Sequence, residues 1–162
     1  MNPAYKVNQH LVYPLQGVGE ITSIEKRTFK GEEVLYYIIY LDISDMTVMV
    51  PVHKTEELGI RPIVSEQESK KALEQLTMEY VPVTADWKMR YQMNLDLLKS
   101  GSIGDNAVVV RTLYHRSKIK ELPIQERKLY DNALKILSDE LIYSLNKSRQ
   151  EIEELIFSKL ES

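Results

Sequence analysis

Residues 46–76, MTVMVPVHKTEELGIRPIVSEQESKKALEQL, change from the spacing of a β-strand to the spacing of an α-helix. The first part, MTVMV, alternates other side chains with valine, which is the period of a strand with one buried face. Pro51 then limits further pairing, because it lacks the N–H of a ladder hydrogen bond. Ser65 and Glu68 have the spacing of a helix capping box and precede apolar residues at helical intervals. We therefore predict a boundary between residues 63 and 64.

The β unit, residues 1–63, contains short segments of β character. HLVYP ends at a proline, GVGEITSIEKRTF alternates only in part, and VLYYIIYLDI is apolar almost throughout. Lys30-Gly31-Glu32 separates the last two segments and predicts a hairpin turn, since glycine adopts positive φ at no steric cost. Short consecutive antiparallel strands are typical of a small curled barrel of the SH3 or Tudor kind.

The helical unit, residues 64–162, has the spacing of five helices. The first follows the capping box, and the second covers about residues 86–98. We expect Asp105 to cap the third helix and Pro123 to occupy the first position of the fourth. A second capping box, which begins at Ser148, opens the fifth. The predicted fold class is α+β, with a small N-terminal Tudor/SH3-like β-barrel followed by a segregated, all-α domain of five helices.

Composition indicates a globular protein. The chain has 162 residues, of which 43% are hydrophobic and 28% are charged, and its formal net charge is −3. No apolar run approaches the roughly 20 residues that span a bilayer, and the N-terminus lacks the apolar region of a secretory signal. Cysteine is absent, which excludes disulfides and thiolate metal sites. We expect a cytoplasmic protein that does not enter a membrane.

No arrangement of residues indicates catalysis. His10, His53 and His115 are far apart in sequence and lack the spacing of metal ligands. Gly17-Val18-Gly19 lacks the third glycine of a dinucleotide fingerprint and opens a β segment, so it predicts a bulge or a sharp turn. A nucleophile, a base and an orienting group cannot be placed together on this sequence. We expect no enzymatic activity, no catalytic residue, no metal and no cofactor.

Charge is unevenly distributed in the helical unit. Residues 88–128 contain nine Lys or Arg and four acids, whereas residues 139–161 contain six acids and three cations. A basic segment beside an acidic one is typical of a local patch that faces phosphate. Solvated helix faces carry the same charges, and composition alone does not separate the two interpretations.

Trp87 is the single tryptophan and precedes Lys88 and Arg90 at the start of the second helix. It begins a helical stripe that continues with Tyr91 and Leu95, which favours a buried position. An aromatic residue beside cations at a helix start is also typical of a group that wedges into a base step while the cations hold phosphate. Periodicity thus favours burial, and the neighbouring charges favour contact with a nucleic acid.

The β unit contains the motifs VYPLQGVGEI, KRTFKGEEVLYYI and MTVMVP, and the helical unit contains DWKMRYQMNLDLLKSG and LPIQERKLYDNALKILSDEL. In this order and spacing they resemble the CarD/CdnL family of bacterial transcription regulators over nearly the whole chain. The resemblance implies that the β unit is the RNA polymerase interaction domain shared with transcription-repair coupling factor. It also implies docking on the polymerase β subunit through a strand-to-strand contact, with this protein acting as a monomer.

The resemblance implies a set of polymerase-binding residues in the β unit: Arg27, Thr28, Phe29, Met49 and Pro51. Some family members have arginine at the position of Met49. We therefore expect an apolar contact at this position of the chain rather than an ionic one.

For the helical unit, the resemblance implies contact with promoter DNA at the upstream edge of the transcription bubble. Trp87 is expected to wedge into the minor groove at the fork. The residues expected to hold the DNA backbone, largely independently of sequence, are Lys88, Arg90 and Arg127. Such contacts are expected to stabilise the open complex and to slow collapse of the bubble.

The chain departs from the family pattern in its cations. Met89 and Arg90 stand where two adjacent basic residues are common, and Gln92 replaces a further cation. We therefore expect weaker direct DNA binding, with polymerase supplying a high local concentration. The alternative is an adaptor whose β unit binds polymerase while its helical unit binds another protein instead of DNA.

Overall fold

The computed structural model describes residues 3–82 and 84–162 of the chain. Packing divides the chain into two compact units, with the division between Ile63 and Val64. No helix within the described residues is both long enough and apolar enough to cross a bilayer. The strands of the β unit are β1 (His10–Tyr13), β2 (Gly17–Phe29), β3 (Glu32–Leu41), β4 (Met46–Pro51) and β5 (Arg61–Pro62). The helices of the helical unit are α1 (Glu66–Gln75), α2 (Trp87–Lys99), α3 (Ile103–Ile119), α4 (Ile124–Leu145) and α5 (Arg149–Leu160).

The five strands form one antiparallel sheet in the order β4-β3-β2-β1-β5. β2 pairs with β3 as far as Phe29, whereas β1 pairs only with residues 17–20 of β2. A register shift at Thr22 follows, and such a bulge bends the strand. Among the described strands, none pairs with residues 22–29 on the β1 side. We call this row of backbone groups the free β2 edge.

One face of the sheet carries the core of the β unit. Tyr5 packs on this core, since its N–H donates to the Tyr37 hydroxyl at 3.1 Å. Gly19 is required where β2 and β3 approach closely, because a Cβ there would lie 2.6 Å from Cγ2 of Ile39. The buried side chains of this core are Leu11, Ile21, Tyr37, Ile39, Leu41, Val50, Val52 and Ile60.

Side-chain caps set where the helices of the second unit begin. The Ser65 hydroxyl accepts a hydrogen bond from the Glu68 N–H, and Ser148 and Glu151 form a complete reciprocal capping box. The helices then bury their apolar stripes against one another. Fully buried side chains of this core include Leu76, Leu113, Leu137, Leu141, Ile152, Ile156 and Leu160.

Two predicted helix starts differ from the observed ones. The Ser102 hydroxyl accepts from the N–H of Asp105, so Ser102 is the N-cap of α3 and Asp105 lies in its first turn. Pro123 is the N-cap of α4, one residue before the predicted position. The predicted fold class is nevertheless confirmed, because a five-stranded antiparallel sheet is followed by five helices.

Candidate functional site

Four of the five residues expected to bind polymerase lie on one face of the sheet. Alternate residues of a strand point to the same face, and paired residues of neighbouring strands share a face. All four pair with even-numbered residues of β3, whereas the buried core residues of β3 are odd-numbered. We call the face opposite the core the outer sheet face. The pairs are Arg27 with Val34, Phe29 with Glu32, Met49 with Ile38 and Pro51 with Tyr36.

Thr28 is the exception among the five. It pairs with Glu33, so its side chain lies on the opposite face from those of Arg27 and Phe29. Thr28 is exposed, since the core of the β unit does not extend to this end of the hairpin. The Thr28 side chain therefore does not join the other four on one surface. Its backbone still belongs to the free β2 edge.

The outer sheet face combines exposed apolar groups with one ion pair. Phe29 is 58% exposed and Met49 is 47% exposed. Arg27 Nη2 lies 3.1 Å from Glu25 Oε2, and the Lys30 ammonium lies 5.4 Å from the centroid of the Phe29 ring. A surface ion pair of this kind stabilises a fold little, so Arg27 can exchange Glu25 for another partner. The face therefore offers apolar contacts and a replaceable charge beside a free strand edge.

Trp87 is the first residue of α2 and is partly buried. The Asp86 carboxylate accepts a hydrogen bond from the Met89 N–H at 2.9 Å, which fixes where the helix begins. The buried positions of α2 are Asn94 and Leu98, about two and three turns further along. Trp87 is therefore at the margin of the helical core, and the burial that periodicity favours is incomplete.

Arg90, one of the residues expected to hold DNA, is engaged in an ion pair that is largely buried. Its Nη2 lies 2.8 Å from Oε1 of Glu126 on α4, and its Nη1 donates to the Ala85 carbonyl at 3.1 Å. The Arg90 side chain is 11% exposed and that of Glu126 is 0% exposed. Three of the five N–H donors of this guanidinium are thus engaged inside the protein. Arg90 therefore joins the start of α2 to α4 and to the segment before α2.

Two of the expected cations remain at the protein surface. Lys88 is exposed, and within the part of the chain that the structure describes no ion pair engages it. The Arg127 side chain is 58% exposed and pairs with Asp131 at 3.5 Å. The Arg127 guanidinium also lies 5.6 Å from the centroid of the Tyr130 ring. Both cations are therefore accessible to an anion in solution.

The Arg90–Glu126 pair brings the first turns of α2 and α4 together. We group five of the exposed or partly exposed side chains of these two turns under the name helix-start surface. It is mixed in character, because exposed apolar side chains accompany the cations. The helix-start surface consists of Trp87, Lys88, Met89, Ile124 and Arg127.

Glu126 is the residue of this site that the sequence reasoning missed. Together with Leu129, Tyr130 and Ala133 it is buried, and their spacing is that of the inner stripe of a helix. A carboxylate on such a stripe is a usable signal, since a buried charge needs a partner of opposite sign. That signal points to a cation elsewhere in the unit, although it does not identify Arg90.

Tyr130, which lies beside Arg127 at this site, has a shifted pKa. Burial raises the pKa of Tyr130 to about 12, and the nearby Arg127 guanidinium partly opposes this rise. Among the described residues, no group of three or more His, Asp or Glu side chains is placed to hold a metal ion.

Comparisons with known proteins match both units. A family model described as "CarD-like/TRCF RID domain" matches residues 5–64, and one described as "CarD, C-terminal domain" matches residues 71–157. A protein of Bacillus subtilis (strain 168), named "Putative transcription factor YdeB", is 36% identical over 137 residues. That alignment covers 85% of this chain and 90% of the relative.

Proposed function

The chain belongs to the CarD family of transcription regulators and carries an RNA polymerase interaction domain, and from this premise we propose that it stabilises the promoter open complex. In this proposal the β unit docks on the polymerase β subunit. The helical unit then places Trp87 at the upstream edge of the transcription bubble. The observation that carries the proposal is the position of Trp87 at a capped helix start, partly buried and beside exposed cations.

Docking is supported by the free β2 edge and the outer sheet face. An added strand gains main-chain hydrogen bonds from such an edge, and side chains on one face select the partner. Phe29 and Met49 supply exposed apolar area near that edge, and Arg27 supplies one charge. The apolar Met49 favours a partner surface with an apolar rather than an acidic group opposite it.

The wedge role is supported by the helix-start surface. An aromatic ring that enters a base step loses little conformational entropy, because the capped helix start and partial burial already restrict Trp87. Lys88 and Arg127 supply two phosphate contacts, which is too few for tight binding to DNA alone. Tethering through polymerase compensates by raising the local concentration of the wedge.

The effect of such a wedge on the rate of initiation depends on which step is limiting. Contacts made only in the open complex lower its free energy relative to the closed complex. Initiation rises where collapse of the bubble is limiting, and it falls where escape from the promoter is limiting. Activation at one promoter and repression at another are then both expected from the same contact.

The decisive experiment is decay of a promoter open complex after addition of a competitor. We expect the wild-type protein to lengthen the lifetime and Trp87→Ala to shorten it by about tenfold, since stacking contributes roughly 1–3 kcal/mol per base. Met93→Ala, which removes an exposed side chain further along α2, is the matched control. If the open complex has the same lifetime with wild type and with Trp87→Ala at equal polymerase occupancy, Trp87 does not act as a wedge.

A polymerase-bound adaptor is the second candidate function. It is favoured by the loss of Arg90 from the basic set and by the exposure of Met89 and Ile124, which suits a protein partner. A photo-crosslinking residue at position 89 in the assembled open complex separates the two. Crosslinks to the DNA strands near the fork support the wedge, and crosslinks confined to another protein support the adaptor.

A further inference from the structure

The helical unit contains a cavity of about 230 Å³ between residues 79–81, α2 and α3. Its walls are mainly apolar and include Leu97, Val108 and Leu113. Val81 and Met93 also line it and are 74% and 48% exposed, so the cavity opens to solvent at an apolar rim. An engineered cavity of roughly 150 Å³ accepts benzene. The volume here therefore suits an organic molecule of one ring with a short chain.

The charged groups that line the cavity are predominantly cationic. They are Arg90, Arg111 and Arg116, with Glu79 as the single acid among them. Arg90 is neutralised by Glu126 and does not contribute a free charge. Two guanidiniums thus stand against one carboxylate, and Glu79 is exposed to solvent. The cavity has an excess of positive charge, which favours an anionic guest.

The Arg111 guanidinium has no carboxylate partner among its hydrogen bonds in the described part of the chain. Its Nη1 donates to the carbonyl and to Oε1 of Gln75, both of which are neutral. Its Nε is buried and has no hydrogen-bond partner among the described residues. A buried charged donor without an acceptor is costly, and Arg111 is one of the residues that line the cavity. Desolvation lowers the pKa of neighbouring His115, and the Arg111 charge lowers it further.

We infer that this cavity binds a small organic carboxylate with an apolar body of about one ring. The apolar walls remove the body of the ligand from water, and Arg111 and Arg116 hold its carboxylate. This inference concerns binding to the helical unit alone. It stands or falls independently of the proposed contact with promoter DNA.

Titration of the full-length chain with 3-phenylpropanoate and with its neutral amide tests the inference, by calorimetry and by amide chemical shifts. We expect saturable binding at one site, with shifts concentrated around the cavity. The carboxylate should bind at least about tenfold more tightly than the amide, because hydrogen bonds to charged groups are the stronger ones. Equal affinities, or the absence of saturable binding, would overturn the inference without any substitution being needed.

Substitutions of residues inside and outside the cavity test whether the ligand binds there. Arg116→Gln should remove most of the preference for the carboxylate, and Leu97→Phe should exclude both ligands by filling the space. Lys99→Gln, on an exposed residue at the end of α2, should change neither affinity. Full carboxylate preference in Arg116→Gln and Arg111→Gln proteins that keep the wild-type circular dichroism would contradict the assignment. If Arg111→Gln does not fold, Arg116→Gln and the acid–amide comparison decide.

Discussion

Arg90 on α2 and Glu126 on α4 form an ion pair of 2.8 Å that is almost fully removed from solvent. Lys88 and Arg127, two of the residues proposed to contact DNA, are close neighbours of the pair in sequence. Arg90 also donates to the Ala85 carbonyl, so the same guanidinium holds the segment before α2. The basic character of the sequence here thus partly serves internal packing instead of recognition.

The stability of the helical unit should depend on this pair. Removing one partner of a buried pair leaves an uncompensated charge, so Arg90→Met and Glu126→Leu should each lower the free energy of unfolding by about 3 kcal/mol or more. The double substitution should lose much less than the sum, because no charge is then left buried. Urea unfolding of the four proteins measures the coupling. Lys70→Ala, in the exposed Lys70–Glu66 pair, is the control and should cost less than about 0.5 kcal/mol.

A charge introduced on the outer sheet face should weaken binding to the polymerase β subunit more than the same charge on the opposite face. Met49→Glu places a charge on the outer sheet face and should weaken binding by about tenfold or more, since an unpaired charge in an apolar contact is costly. Thr28→Glu adds the same charge on the opposite face and should change affinity by less than about threefold. Surface plasmon resonance with the isolated subunit compares them. A larger loss with Thr28→Glu would place the docking surface on the other side of the hairpin.

Direct DNA binding should depend on salt through two cations. Lys88→Gln and Arg127→Gln should each reduce the slope of log affinity against log salt by about one unit, because each releases one condensed counterion fewer. Fluorescence anisotropy with a fork-junction DNA measures the slope. Lys99→Gln is the matched control on the same helix and should leave the slope unchanged. An unaltered slope for both variants would favour the adaptor.

Alkaline stability should reflect Tyr130, whose pKa burial raises to about 12 in the folded protein, above the ordinary value of 10.0. The contribution of this raised pKa to the free energy of unfolding is fully present below pH 10 and is lost as the pH rises through about 12. The reason is that the unfolded chain releases the hydroxyl proton of Tyr130 at a lower pH than the folded protein does. Wild type should lose stability over that window more steeply than Tyr130→Phe. Urea midpoints at pH 9, 10 and 11 compare the two proteins, and parallel pH profiles would contradict the prediction.

Local sequence signals were sufficient for the fold class. The change of period around Pro51 and the caps at Ser65 and Ser148 are short-range features, and each acts in the structure as its local chemistry requires. The start of α3 was less predictable, because Ser102 and Asp105 are both good capping residues three positions apart. Competition between equivalent caps is decided by packing of the first turn, which the sequence does not display.

The site was predictable only in part, for two different reasons. Strand alternation alone separates Thr28 from Arg27 and Phe29, and this information was present in the sequence. To predict that Arg27 and Met49 share a face, one must know the register of β2, β3 and β4. The contacts of Arg90 could not be predicted locally, because its partner Glu126 lies 36 positions away. A cation at a helix start has the same local pattern whether it faces a phosphate or a buried glutamate.

The free β2 edge has a consequence for the protein on its own in solution. An unpaired strand edge accepts any strand, including the same strand of a second copy, and so invites aggregation. Glu25, Lys26 and Arg27 lie along this edge, and Lys30 follows at the turn. Charged side chains, lysine above all, are common gatekeepers of such edges. These charges therefore oppose the pairing of this edge with the same edge of a second copy.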